Sequence, residues 1–156
     1  MRSILPLAAL SVLVSACQQP SAADLKPPND TKELMAHVID PAAFMVWKNS
    51  GVDVDETGER ERYPTTEEGW KVLEDGAVIV AEAGNLLKIG DRPREPVAEW
   101  NRFADLLTER AMEMKAAVEA RDKQKIFDTG GRLYEVCQGC HAKFPLPVQE
   151  PPPAKK

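Results

Sequence analysis

The sequence predicts an all-α fold, an antiparallel up-down-up-down four-helix bundle. Between about residues 31 and 144, apolar residues recur in steps of three and four along four separate segments. Turn and helix-breaking residues separate these segments, and we find no convincing alternation typical of a β-strand. Helices that each carry one apolar stripe bury it best against one another, in the packing of a bundle. A chain of 156 residues is expected to form one such domain.

The first helix is predicted from about Thr31 to Asn49. Asp30 and Glu33 have the spacing of a capping box at its start. Pro41 lacks a backbone donor and disfavours helix at Asp40, so we expect a kink or break there. The charged residues 50–64 that follow are predicted to form a loop. The apolar face of the helix is formed by Met35, Val38, Ile39, Ala42, Met45 and Val46.

Three further helices follow. The second runs from a capping box at Thr65 and Glu68 to about Ile89, and Gly90 suits its C-terminal cap. The third runs over about residues 96–121, and the fourth begins after the N-cap Asp122. The fourth ends near residue 144, because a proline follows. The short connection between the last two helices makes them antiparallel neighbours.

The two ends of the chain are predicted to lie outside this domain. Residues 1–16 hold one basic residue and a short apolar run, which is typical of a secretory signal peptide and too short to span a membrane. The polar, proline-containing residues 17–30 are predicted to be a tether. The proline-rich residues 145–156 are predicted to be extended or disordered. The helical domain is therefore expected over residues 31–144.

The end of the signal peptide, "VSAC", resembles the lipobox of bacterial lipoproteins. The resemblance implies cleavage after Ala16 and lipidation of Cys17, which would attach the protein to the periplasmic face of a membrane. Gln18 follows the cysteine where an aspartate could act as a retention signal, so the resemblance favours the outer membrane. Ordinary signal cleavage nearby is the alternative. A net charge of −5 argues against a nucleic-acid partner.

The stretch "VCQGCHAKF" over residues 136–144 holds Cys137, Cys140 and His141. A structural zinc site needs four ligands, and only the remote His37 could be added to these three. A redox-active dithiol is favoured at the start of a helix, where the helix dipole lowers the pKa of the thiol. Here the pair lies near the end of a helix, so that interpretation is disfavoured.

The spacing Cys-x-x-Cys-His is the attachment signal for c-type haem. On a helix, Cys137 and Cys140 lie one turn apart and share a face, so both sulfurs can bond to one edge of a haem. His141 projects to nearly the same side and can ligate the iron. Export agrees with this prediction, because c-type haem is attached outside the cytoplasm. A buried pair of small residues beside a core histidine is the alternative.

A C-terminal CxxCH on the last helix of a four-helix bundle resembles the cytochrome c-prime family, the class II c-type cytochromes. The resemblance covers about residues 31–144, and Cys137, Cys140 and His141 match the family motif. Phe144 matches the aromatic residue that the family places three positions after the histidine, but Pro145 stands where a basic residue is usual. The resemblance implies a monohaem protein, and it implies that a homodimer can form.

In a bundle of this topology, the end of the fourth helix lies level with the start of the first. We therefore expect the haem to contact Met35, Leu86 or Leu87, and Val97 or Trp100. Met45 lies ten residues beyond Met35, about 15 Å along a helix, which is too far to ligate. His37 would need a rotated helix to reach the iron.

Met35 is thus the candidate distal ligand, with a core methionine as the alternative. Family members with methionine near the start of the first helix are low-spin electron carriers, whereas those with an apolar residue there bind small gases such as nitric oxide. Arg92 or Arg94 is predicted to pair with a haem propionate, with a solvated loop charge as the alternative.

Three functions follow from these alternatives. The favoured one is one-electron transfer by a lipid-anchored monohaem cytochrome with an unidentified redox partner. The others are a five-coordinate haem protein that binds NO or CO, and a haem-free structural lipoprotein. The sequence holds no nucleophile–base pair and no phosphate-binding loop, so we do not expect an enzyme.

Overall fold

The computed structural model describes residues 25–145, and helices dominate it. The prediction of an all-α fold is confirmed at this level, because the described residues contain only one small sheet. The helical elements are α1 (Thr31–Leu34), a π-turn (Met35–Ile39), α2 (Asp40–Lys48), α3 (Glu67–Leu86), α4 (Val97–Glu119) and α5 (Lys123–Lys143). The strands are β1 (Val52–Asp55) and β2 (Gly58–Glu61). The predicted signal peptide, Cys17 and residues 146–156 lie outside the described residues.

The first helical segment contains a π-turn where a break was predicted. The backbone N–H of Asp40 donates to the carbonyl of Met35, five residues earlier, and the helix continues through Pro41 to Lys48. Proline has no N–H to donate, and its ring clashes with the carbonyl four residues earlier. One wider turn before Pro41 accommodates this ring without ending the helix. The helix therefore does not break at Asp40, and the irregularity expected there is the π-turn before Pro41.

The π-turn also changes which residues of α2 face the core. Ala42, Ala43 and Val46 are buried, whereas Met45 is 37% exposed although it was predicted on the apolar face. The prediction placed all residues of this segment at equal angular steps. One wide turn in the middle shifts the phase of every residue that follows it.

A β-hairpin occupies the segment that was predicted to be a loop. Antiparallel strands β1 and β2 pair Asp53 with Arg60, and the two side chains form an ion pair of 3.0 Å. Asp55 accepts a hydrogen bond from the backbone of Thr57 across the turn, and Gly58 has a φ of +128°, which favours glycine. The prediction of no strand is wrong here, because ion pairs and turn geometry replace the usual apolar alternation.

Side-chain caps begin three of the helices, α1, α3 and α5. The Thr66 hydroxyl accepts from the N–H of Gly69 at 3.2 Å, so the N-cap of α3 is Thr66 and not Thr65. The predicted caps are confirmed at the other two starts, where Asp30 accepts from Glu33 and Asp122 accepts from Lys125.

Pairwise packing joins α2 to α3, α3 to α4 and α4 to α5. The approach of α3 to α4 is close, because a Cβ built on Gly84 would lie 2.1 Å from the Thr108 hydroxyl. The contact between α2 and α5 is less extensive, and an apolar cavity lies between them. Within residues 25–145, no helix has the length and hydropathy needed to cross a membrane.

Candidate cofactor site

The cavity between α2 and α5, here called the α2–α5 cavity, has a volume of about 750 Å³. One wall comes from the first helical segment: Lys32, Met35, Ala36, Ile39, Asp40, Ala43, Phe44 and Trp47. The opposite wall comes from α5: Tyr134, Val136, Cys137, Gln138, Cys140 and His141. The floor comes from the end of α3 and from α4: Leu87, Trp100, Phe103, Ala104 and Leu107.

The CxxCH motif lies in the last two turns of α5 and lines the cavity. Cys137 and Cys140 are half-buried free thiols, and His141 is exposed at the rim. The three side chains point to one side because residues three and four apart on a helix share a face. The sequence-based expectation that the motif presents one face to a common space agrees with this arrangement.

Burial makes both thiols weak acids. Burial raises the pKa of Cys137 to about 11, and the neighbouring Cys140 and the charge of Asp40 contribute in the same direction. Burial also raises the pKa of Cys140, although the positive charge of Arg94 opposes that shift. Few thiolates therefore form near neutral pH, which is unfavourable for a dithiol redox centre. The sequence argument relied on the helix dipole, whereas desolvation is the main cause in the structure.

Three predicted contact residues meet the motif across the cavity. Met35 lies half-buried on the opposite wall, and Leu87 and Trp100 form the buried end of the floor. The Trp100 indole N–H donates to the Leu87 carbonyl at 2.8 Å, which fixes the position of both residues. Of the two alternatives predicted at each position, Leu87 and Trp100 line the cavity. Leu86 and Val97 do not.

The two other side chains considered as distal ligands lie outside the cavity. The His37 imidazole is 72% exposed and lies 3.3 Å from the Glu33 carboxylate. Met45 is exposed and does not line the cavity. Among residues 25–145, Met35 is therefore the only methionine on the cavity wall, as the sequence-based argument about distance along the helix requires.

Aromatic packing holds the end of α5 against α4. The buried Phe144 ring meets Trp100 edge-to-face, with ring centroids 5.1 Å apart, and meets Phe103 at 6.3 Å. Gly139, inside the CxxCH motif, allows this approach, because a Cβ there would lie 3.1 Å from the Phe103 ring. The sequence identified Phe144 but not the role of Gly139.

Arg92 does not occupy the predicted place. Its guanidinium is buried and donates to the carbonyls of Leu86, at 2.7 Å, and Asn29, at 2.9 Å. These bonds join the end of α3 to the residues before α1, and Arg92 does not line the cavity. Its expected contact with a propionate is therefore corrected to a structural role. Part of the predicted tether also lies close to the domain, because a Cβ built on Gly90 would lie 2.5 Å from the Leu25 carbonyl oxygen and 2.6 Å from the Pro27 ring.

Arg94 lies at the end of α5. Its guanidinium donates to the carbonyl of Phe144 at 3.2 Å and lies 5.8 Å from the centroid of the Phe144 ring. It does not line the cavity either. The basic residue beside Phe144, Lys143, pairs instead with Glu99 on α4 at 2.9 Å.

Several cavity residues were missed at the sequence level. Tyr134 lies one turn before Cys137, and Phe103 lies one turn after Trp100, so helical spacing could have found both. Phe44 and Trp47 could not be found in that way, because the π-turn rotates them towards the cavity. The Trp47 ring packs edge-to-face on both Phe44 and Tyr134, at centroid distances of 5.8 and 5.9 Å.

The residues present fit a haem group. The volume lies within the ~300–1,000 Å³ range of cofactor and small-molecule sites, and the lining is predominantly apolar. An imidazole and a thioether are known axial ligands of haem iron. Within residues 25–145, no three His, Cys, Asp or Glu side chains gather into a group that could hold a bare metal ion.

Comparisons with protein-family models, with curated proteins and with solved structures find no match to this chain.

Proposed function

We propose that this protein is a monohaem c-type cytochrome that carries single electrons. The observation that supports this proposal is the α2–α5 cavity itself. It collects Cys137, Cys140 and His141 on one wall and Met35 on the other, although Met35 is about a hundred residues away in the sequence.

Each side chain has a distinct role in the proposal. Cys137 and Cys140 hold the haem through thioether bonds, His141 is the proximal ligand, and Met35 is the distal ligand. Leu87, Trp100 and Phe103 exclude water from the buried end of the cavity. When bound, haem supplies the one-electron chemistry, and the protein supplies position, ligands and electrostatics.

The fold proposal is an up-down-up-down four-helix bundle of the cytochrome c-prime type. The sequential packing of α2, α3, α4 and α5 supports it. So does the meeting of Phe144, at the end of α5, with Trp100 near the start of α4. The extended α1–π–α2 segment takes the place of the first bundle helix.

We further propose that the protein is exported and is attached by lipid at Cys17 to the periplasmic face of a bacterial membrane, with the outer membrane favoured. The support is the sequence pattern "VSAC" and the need to attach c-type haem outside the cytoplasm. Its electron donor and acceptor are other proteins, and a homodimer is compatible with the family resemblance.

Covalent attachment can be tested with protein produced together with haem-maturation machinery. The wild-type chain is expected to retain haem after denaturation, as seen by its pyridine haemochrome spectrum. The double variant Cys137→Ser/Cys140→Ser is the control and is expected to lose the colour. A wild-type chain that folds but stays colourless would contradict the proposal and favour the haem-free alternative.

Carbon monoxide tests the role of Met35. If Met35 closes the distal side, CO competes with the thioether for the reduced iron, so Met35→Ala should bind CO about tenfold more tightly, or ~1.4 kcal/mol. Met45→Ala removes a methionine that does not line the cavity and should behave as wild type. Equal and ready CO binding by all three proteins would favour the five-coordinate, gas-binding alternative.

A further inference from the structure

In the part of the chain that the structure describes, Asp40 is the one carboxylate that lines the α2–α5 cavity. In an uninterrupted α-helix, residues five apart differ by about 140° around the axis and face different sides. Here the π-turn bonds the Asp40 N–H to the Met35 carbonyl, so one turn separates the two residues. The π-turn therefore brings Asp40 to the same wall as Met35.

No opposite charge compensates Asp40 locally. Its carboxylate is exposed and, within residues 25–145, forms no ion pair, and the nearby Glu33 carboxylate lies 3.3 Å from the His37 imidazole. Lys32 is the one Lys or Arg side chain that the described residues contribute to the lining, and it does not pair with Asp40. Burial is the main cause that raises the pKa of the Cys137 thiol, and the charge of Asp40 on the opposite wall contributes in the same direction.

We infer that the charge of Asp40 makes the electrostatic potential inside the cavity more negative. Asp40 thereby lowers the reduction potential of a haem held there. The second part rests on the proposed function. Ferric iron carries one more positive charge than ferrous iron, so a nearby carboxylate stabilises the oxidised state. Transfer of one electron from a redox partner would remove that extra positive charge, so its favourable interaction with the carboxylate would be lost.

The reduction potential of the haem protein tests the inference. Asp40→Asn should favour reduction, with the equilibrium constant against a fixed redox mediator rising about three- to tenfold, where tenfold is ~59 mV for one electron. Asp40→Glu should keep the wild-type value. Glu33→Gln is the matched control, because it removes one negative charge from the same segment but outside the cavity lining. It should change the constant by less than about twofold, because the Glu33 side chain does not line the cavity, and water and salt screen its charge.

The effect of salt on the reduction potential distinguishes an electrostatic effect of Asp40 from an effect on packing. The Debye length falls from about 30 Å at 0.01 M to about 3 Å at 1 M ionic strength, so the difference between wild type and Asp40→Asn should shrink in high salt. A difference that persists unchanged at 1 M salt would mean that the substitution acts through packing. That result, or equal potentials at low salt, would overturn the inference.

A second measurement needs no haem. In apoprotein carrying Cys140→Ser, Cys137 is alkylated by negatively charged iodoacetate and by neutral iodoacetamide, and peptide mass spectrometry follows that site. Both reagents react with the thiolate, so the ratio of the two rates does not depend on the thiolate fraction. The ratio therefore reports the electrostatic potential at Cys137. Asp40→Asn should raise the ratio of the iodoacetate rate to the iodoacetamide rate about threefold or more in low salt, and Glu33→Gln should leave it unchanged.

An unchanged ratio in Asp40→Asn would overturn the inference even if haem attaches. A raised ratio in a chain that never attaches haem would uphold the charge effect and contradict the proposed function.

Discussion

At the scale of single residues, burial makes the thiols of Cys137 and Cys140 poorly suited to redox exchange. Both are half-buried against α4 and the first helical segment, and no neighbouring cation outweighs the effect of burial. A thiol of this kind stays protonated near neutral pH and reacts slowly. In the proposed protein, attachment consumes both thiols, so their low acidity carries no functional cost.

Thiol reactivity of the apoprotein should follow this burial. Because the pKa of Cys137 is raised to about 11, its thiolate fraction near pH 8 is small and grows about tenfold for each pH unit up to about pH 11. Alkylation by iodoacetamide should therefore be slow in the folded apoprotein, rise with pH over that range, and become faster in urea at pH 8. Rapid alkylation of the folded chain at pH 7 would instead indicate an activated dithiol.

Arg92 is the residue whose role the sequence predicted incorrectly. A loop arginine near the cofactor is a reasonable partner for a propionate, but composition cannot show which carbonyl groups lie nearby. Buried donors need acceptors, and the carbonyls of Leu86 and Asn29 supply them. The prediction therefore changes from a ligand contact to a contribution to stability.

Arg92→Met should lower the free energy of unfolding by about 2–4 kcal/mol, because two hydrogen bonds from a charged donor are lost. Urea unfolding of the haem protein measures this change. The reduction potential should stay at the wild-type value, since Arg92 does not line the cavity. Arg94→Met, at an exposed position, should cost less than about 1 kcal/mol. A large shift in potential with no loss of stability would restore the original role of Arg92.

At the scale of elements, helix starts and ends were predictable where local chemistry determines them. Asp30 and Asp122 accept the expected backbone N–H groups, and α5 ends just before Phe144 and the following proline. The π-turn was not predictable, because a proline inside an apolar pattern predicts a kink as readily as a wide turn. The hairpin was missed because its stabilising groups are the charged side chains that had indicated a loop.

The start of α3 gives a direct test at this scale. Thr66→Ala removes the hydroxyl that accepts from Gly69 and should cost about 1 kcal/mol of stability. Thr65→Ala, the position predicted from the sequence, should stay within about 0.5 kcal/mol of wild type. Urea unfolding of the two variants compares them, and the reverse order would contradict the observed cap.

At the scale of the whole molecule, the packing of the helices leaves the α2–α5 cavity open. The chain packs α2 on α3, α3 on α4 and α4 on α5, while α2 and α5 make less extensive contact and leave an apolar space between them. Bundle topology was enough to predict that Met35, Leu87 and Trp100 approach the CxxCH motif. It was not enough to predict Asp40, Phe44 and Trp47, whose places depend on the phase shift at the π-turn.

The central claim is that the α2–α5 cavity holds one haem bound to Cys137 and Cys140. Intact-mass measurement of the denatured protein, after production with haem-maturation machinery, tests it most directly. The proposal predicts a single species whose mass is that of the processed chain plus one haem. The mass of the polypeptide alone, from a chain that is folded and correctly exported, would contradict it.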